Sequence, residues 1–93
     1  MTIGILHIDF LIDGSRSLKD KRRVVKSLKA QIQSRYNCAV AETDYLELRQ
    51  RARLTAVVVS NESRHANSQA SEIFRFVETR IGGSIVDYQI ELL

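Results

Sequence analysis

The residues best equipped for chemistry in this chain are cations. Between Ser15 and Tyr36 stand Arg16, Lys19, Lys21, Arg22, Arg23, Lys26, Lys29 and Arg35, against the single carboxylate Asp20. Ammonium and guanidinium groups gathered with so few competing carboxylates suit phosphate oxygens. Ser17 with Asp20 three residues on forms an approximate capping box, so a helix opens there. Arg16 and Lys19 then flank a helix N-terminus, where free N–H groups and the positive end of the dipole favour an anion. Further along, Arg22, Lys26 and Lys29, and likewise Lys19, Arg23 and Lys26, fall at i, i+4, i+7, which lines them up as a ridge. Like charges at this spacing cost about a few tenths of a kcal/mol per pair unless something neutralises them. A polyanion with regularly spaced phosphates does so, and each phosphate engaged steepens the salt dependence of binding by roughly one unit. Arg49, Arg51 and Arg53 extend the ridge if their segment folds nearby.

The elements that must hold these groups follow from periodicity. Ile3 to Ile12 alternates, with Leu6, Ile8, Phe10 and Ile12 on one face, as a half-buried strand does. Asp13-Gly14 is a turn signal. Leu18, Val25, Leu28, Ile32 and Tyr36 recur at three, four and seven residues, giving the basic helix one apolar stripe, and Asn37 is suited to the left-handed conformation that ends it. Cys38 to Tyr45 predicts a short strand, Leu46 to Arg53 a polar, basic hairpin loop, and Leu54 to Ser60 a strand apolar on both faces. Ser63 to Ile81, with Ala66, Ala70, Ile73, Phe74, Val77 and Ile81 at helical spacing, predicts a second helix, terminated by Gly82-Gly83. Ser84 to Leu93 alternates again and closes the chain as a strand. The order β-α-β-β-α-β predicts an α+β, ferredoxin-like two-layer sandwich, a four-stranded antiparallel sheet with both helices on one face. Residues 1–93 then form one domain.

Composition narrows the function classes. With 93 residues, 44% hydrophobic and 27% charged, the chain is globular in character, and a domain of this size has little room for a deep enclosed site. The net charge of +3 hides a lopsided distribution, since outside Ser15–Tyr36 there are six basic and ten acidic residues. No apolar run reaches the ~18 residues needed to cross a bilayer. The lone Cys38 and the lack of a signal-peptide pattern point to a reducing, cytoplasmic location. Cys38 has no histidine or cysteine at nucleophile or ligand spacing and reads as a structural thiol. His7 and His65 are far apart, so neither a metal nor a cofactor is expected.

The run Gly14-Ser15-Arg16-Ser17-Leu18-Lys19-Asp20-Lys21-Arg22-Arg23 followed by Ser27-Leu28 resembles the signature of the YlxP-like family of small uncharacterised bacterial proteins. The likeness continues through Arg35-Tyr36-Asn37, Val40-Ala41-Glu42 with Asp44, Gln50-Arg51-Ala52 and Val59-Ser60-Asn61, so it spans nearly the whole chain. It implies a ferredoxin-like fold and, from the family's usual placement among translation and ribosome-maturation genes, a ribosome-associated or RNA-binding role. It implies no catalytic residues. The family often carries an aromatic before its Gln-Arg-Ala; Arg49 stands there here.

These readings converge on a non-enzymatic protein that grips RNA, ribosomal or precursor ribosomal, through Arg16, Lys19, Lys21, Arg22, Arg23, Lys26 and Lys29, with Arg49 and Arg51 as extensions. Base stacking on the sheet is not expected, because Leu54 to Val59 has no aromatic and because Asp9, Asp87 and Glu91 share a parity that puts them on the open face, where they would repel phosphates. An alternative is an interaction module whose basic helix docks an acidic partner and whose open sheet, apolar at Ile3, Ile5 and Leu93, is covered by a second copy. A third reading is a phosphate-ester hydrolase. Arg16 after the first strand and Asn61 after the third resemble the phosphate-clamping pair of acylphosphatases, although the glycine-rich loop is missing.

Overall fold

A computed structural model describes residues 1–93 as β1 (Thr2–Leu11), α1 (Leu18–Arg35), β2 (Ala39–Asp44), β3 (Arg51–Ser60), α2 (Ser63–Ile81), a short 3-10 turn (Gly82–Ser84) and β4 (Ile85–Leu92). The strands are antiparallel in the order β2-β3-β1-β4, which makes the fold the expected ferredoxin-like sandwich. β1 and β3 pair over their full lengths, from Thr2 opposite Ser60 to Leu11 opposite Arg51. Leu6, Ile8 and Phe10 of β1 and Leu54, Ala56 and Val58 of β3 therefore share a face, and it is buried beneath both helices.

The helices meet the sheet differently. α2 buries Ala66, Ala70, Ile73, Phe76 and Val77. The small residues at its start let it press onto β1, where a Cβ on Gly4 would lie 2.9 Å from Val58 Cγ2 and 3.1 Å from the Ala66 carbonyl oxygen. Only glycine fits that approach without a shift of backbone or neighbour. α1 opens as its sequence predicts, with Ser17 Oγ accepting from the Asp20 N–H at 3.0 Å and Asp20 Oδ2 accepting from the Arg16 N–H at 3.1 Å. Its buried stripe is Lys21, Val25, Leu28 and Ile32, so a lysine occupies a core-facing position. The helix ends at Tyr36 in an extended conformation, and Asn37 does not adopt a left-handed one.

Two bulges set side-chain directions near the functional end. Val86 is the extra residue between the Asp9–Asp87 and Phe10–Ile85 pairs. Thr43 is the extra residue between Glu42–Leu54 and Asp44–Arg53. A bulge re-aims the side chains around it. Here Thr43 Oγ1 meets Thr55 Oγ1 at 2.7 Å on the open face while Glu42 reaches Lys21 on the helix side. β3 begins at Arg51, three residues before the sequence pattern suggested, which shortens the hairpin loop to residues 45–50. Neither helix is long and apolar enough to cross a membrane.

Candidate nucleic-acid interface

The fold sorts charge by layer. The helices carry ten basic and three acidic residues, whereas the strands carry two basic and five acidic ones. Pairing follows the same division. Lys21, Arg51 and Arg53 are the lysines and arginines with a carboxylate within 4 Å, so eleven of the fourteen have none.

Among the predicted contact residues, Arg16, Lys19, Arg22, Arg23, Lys26 and Arg49 are exposed and Lys29 is half-buried. Arg23, with Val24 and Ser27, faces a groove shared with Arg80 and Ile81 of α2. Helical geometry then turns Arg22, Lys26 and Lys29 toward the opposite flank, on the side of the β2 edge. The exposed cations of α1 thus lie on its solvent side and are held by a stripe packed into the core.

Lys21 is not among them. Its side chain is 1% exposed, and its ammonium stands 2.8 Å from Glu42 Oε2 as an ion pair and donates to the Tyr45 carbonyl. Position 21 completes the stripe at 18, 21, 25, 28 and 32, so its inward direction is helical arithmetic. The seven-residue gap between Leu18 and Val25 was the signal available in the sequence.

Arg51 also leaves the predicted ridge. Because β3 starts at Arg51, Arg51 and Arg53 both point to the open face, where Arg53 Nε donates to Asp9 Oδ1 at 2.6 Å and Arg51 Nη2 to Asp9 Oδ2 at 3.4 Å. The Tyr45 ring lies 4.3 Å from the Arg51 guanidinium and 5.7 Å from that of Arg53. Tyr45 itself is held at φ 60°, its N–H bonded to Asp44 Oδ1 at 2.7 Å. The hydrogen bond from Arg53 holds the Asp9 carboxyl below its ordinary value, although burial pushes the other way. Asp9 is therefore a neutralised carboxylate, and the expectation that it repels phosphate does not hold for it. Asp87 and Glu91 share its face without an arginine partner. His7 Nδ1 bonds Thr55 Oγ1 at 2.9 Å, and its Nε2 is 3.9 Å from Glu91.

At the far end of β1 two loops are tied together. Gln50 Nε2 donates to the Ser15 carbonyl at 3.2 Å, Arg49 Nη1 to the Arg16 carbonyl at 3.3 Å, and the Ile12 N–H to the Gln50 carbonyl at 2.9 Å. Arg16 and Arg49 are thereby neighbours. Asn61 is not: Ser60 pairs with Thr2 at the other end of β1, so Asn61 and Arg16 are separated by roughly 30 Å of strand. The acylphosphatase-like pair does not form.

A second cationic group was not read from the sequence as a site. The Arg35 and Arg80 guanidinium groups lie 4.7 Å and 5.0 Å from the Phe76 ring, in a groove lined also by Tyr36, Glu72 and Arg75. Arg80 stands one helical turn from Phe76 and was legible as its neighbour. Arg35 arrives from the other helix and was not.

Comparison with known proteins finds likeness in sequence and, separately, in fold. The chain is 25% identical over 77 residues to the uncharacterized protein YlxP of Bacillus subtilis (strain 168), covering 83% of this chain and 84% of that one. A crystal structure from Bordetella bronchiseptica, provisionally named an antibiotic biosynthesis monooxygenase, superposes over 100% of this chain and 96% of its own with a TM-score of 0.52 and 18% identity. That likeness is one of fold. A de novo designed protein with a ferredoxin fold aligns over 100% of this chain and 83% of the design, with a TM-score of 0.47 and 16% identity. The family model described as Protein of unknown function (DUF503) matches residues 3–90, and the chain belongs to that family.

Proposed function

We propose that the protein is a non-enzymatic RNA-binding factor that holds a structured RNA by its phosphates, with the outer surface of α1 as the main contact. The observation that carries this reading is the segregation of unpaired charge: eleven cations without a carboxylate within 4 Å, most of them on the helical layer, and a sheet whose two arginines both pair with Asp9. Uncompensated like charges on a rigid helix raise the energy of the free protein and lower that of a complex with a polyanion. Arg16, Lys19, Arg22, Arg23, Lys26, Lys29 and Arg49 supply the contacts, and Arg35, Arg75 and Arg80 widen the surface across the interhelical groove. The resemblance to the YlxP-like family supports ribosomal or precursor ribosomal RNA as the partner. Gel-shift titration against ribosomal RNA at two salt concentrations tests this. Affinity should fall steeply with salt, and Arg22→Glu, Arg23→Glu, Lys26→Glu should flatten the salt slope by roughly one unit for each phosphate no longer neutralised. Binding indifferent to salt and to these changes would overturn it.

A second reading concerns the open sheet face. Its apolar residues collect at one end, where Ile3 lies opposite Val59 and Ile5 opposite Val57, and Leu93 pairs with Ile3. Val59 is 66% and Leu93 71% exposed. A second copy of the chain would cover them. Sedimentation should then detect a dimer that Val59→Lys dissociates, and a monomer at all concentrations would sink the idea.

A further inference from the structure

Between the β1–α1 connection and the β2–β3 loop lies a concavity of about 560 Å³. Its walls carry three arginines, Arg16, Arg49 and Arg51, and two leucines, Leu11 and Leu48, with no carboxylate residue among them. Two of the arginines are fixed in place. Arg51 is anchored by Asp9 and by the Tyr45 ring, and its Nε is buried without a hydrogen-bond partner. Arg49 is bound to the Arg16 carbonyl. Three arginines around one hollow, of which Arg51 alone is shared with a carboxylate, match a dianionic terminal phosphate better than a singly charged internal phosphodiester.

The remaining walls say what the phosphate is attached to. Leu11 is 43% and Leu48 48% exposed, so apolar surface faces the hollow. The neutral donors are engaged within the protein, the Gln50 amide with the Ser15 carbonyl and the Ser15 hydroxyl with the Ser17 carbonyl. Little is left to recognise the hydroxyls of a sugar phosphate or to read base edges. A flat, weakly hydrated body that packs on leucine and stacks on guanidinium planes is what fits, and a nucleobase has those properties.

We propose that this concavity binds one nucleotide bearing a terminal phosphate, with the phosphate among Arg16, Arg49 and Arg51 and the base against Leu11 and Leu48, without base selectivity. The assignment rests on the phosphate-binding reading of Arg16 and Arg49 and adds a discrete site to it. The nucleotide is either the phosphorylated end of an RNA or a free mononucleotide.

The test is an NMR titration of amide shifts with adenosine 5′-monophosphate, adenosine and inorganic phosphate. It is joined to affinity measurements for one oligoribonucleotide carrying a 5′-phosphate, a 3′-phosphate or neither. The monophosphate should move the amides of Ser15, Arg16, Leu48 and Arg49 and bind on the order of tenfold more tightly than adenosine or phosphate alone. Leu48→Asp, at an exposed loop position, should remove that preference while leaving the melting temperature unchanged, and Arg49→Glu, which also releases the contact to the Arg16 carbonyl, should remove it too. A terminal phosphate that strengthens oligonucleotide binding about tenfold identifies the RNA end as the source; monophosphate binding without that effect identifies the free nucleotide. Inorganic phosphate binding as tightly as the monophosphate, or shifts confined to other residues, would overturn the site. Arg22→Glu with Lys26→Glu separates the two proposals, since it should weaken all oligonucleotides alike. RNA affinity that is intact but blind to terminal phosphates, with no monophosphate shifts, removes the pocket alone. Monophosphate binding with no RNA affinity removes the RNA reading alone.

Discussion

The open sheet face and the outer helical surface both carry arginine, yet the same side chain does different work on each. On the sheet, Arg51 and Arg53 converge on Asp9, flank Tyr45 and leave Asp9 only 5% exposed. On the helices, Arg22, Arg23, Arg35, Arg64, Arg75 and Arg80 have no carboxylate within reach, and neither does Arg16 just ahead of α1. Between the two surfaces runs the buried Lys21–Glu42 pair, a cation from the basic helix spent on joining α1 to β2 and to the hairpin loop. The contrast teaches that a count of positive charge along a helix overstates its binding surface by the charges the fold itself consumes.

The largest test of this division falls on Lys21. Removing one partner of a buried ion pair leaves the other charged and unpaired, so Lys21→Ala should lower unfolding stability by about 3–5 kcal/mol in denaturant titration. Pairing Lys21→Met with Glu42→Leu should recover most of that loss. If Lys21→Ala melts like the parent and instead weakens RNA binding, the lysine belongs to the surface after all.

A smaller effect is expected at Asp9. Replacing it with asparagine weakens charged hydrogen bonds to two arginines and should cost about 2 kcal/mol at neutral pH. The pH dependence has a definite sign. The folded-state pKa of Asp9 is lowered, so its contribution is fully present above the unfolded value of about 3.9 and is lost as pH falls through the folded value. Urea midpoints measured from pH 6 down to pH 2 should therefore converge for the parent and Asp9→Asn in the acid range. Parallel curves throughout would show that the carboxylate's charge is not what holds the arginines.

The smallest effect has the opposite sign. Arg22→Gln with Lys26→Gln relieves an i, i+4 repulsion and should raise stability by about a few tenths of a kcal/mol at low ionic strength, an increment that salt erases. A loss of stability on this substitution would mean that these side chains make intramolecular contacts of their own.

Much of the architecture was legible in the residues. α2 spans Ser63–Ile81 as its spacing predicts, the N-cap at Ser17 forms, and β1 alternates as read. These are local properties, because capping chemistry and apolar periodicity act within a few residues of each other. The alternation also put Asp9, Asp87 and Glu91 on the open face. What misled was the treatment of charge as exposure. Lys21 sits among basic neighbours although its place in the stripe turns it inward, and Arg51 and Arg53 read as loop because polar residues mask a strand that begins early. On α2 the spacing pointed to Phe74 and Ile81 as core, but the helix buries Phe76 with Ile73 and Val77 and leaves Phe74 and Ile81 only partly covered.

By itself, then, the sequence determined the order and type of the elements, the family, and the excess of positive charge on the first helix. Each of these depends on residues near one another along the chain. Only the tertiary structure decided which cations are free, because a charge is neutralised by whatever carboxylate the fold brings to it. Glu42 is 21 residues from Lys21 and Asp9 is 44 from Arg53, and no spacing rule spans those separations. The same holds for the hollow shared by Arg16, Arg49 and Arg51, whose walls meet because β1 and β3 run antiparallel and bring two distant loops to one end of the sheet.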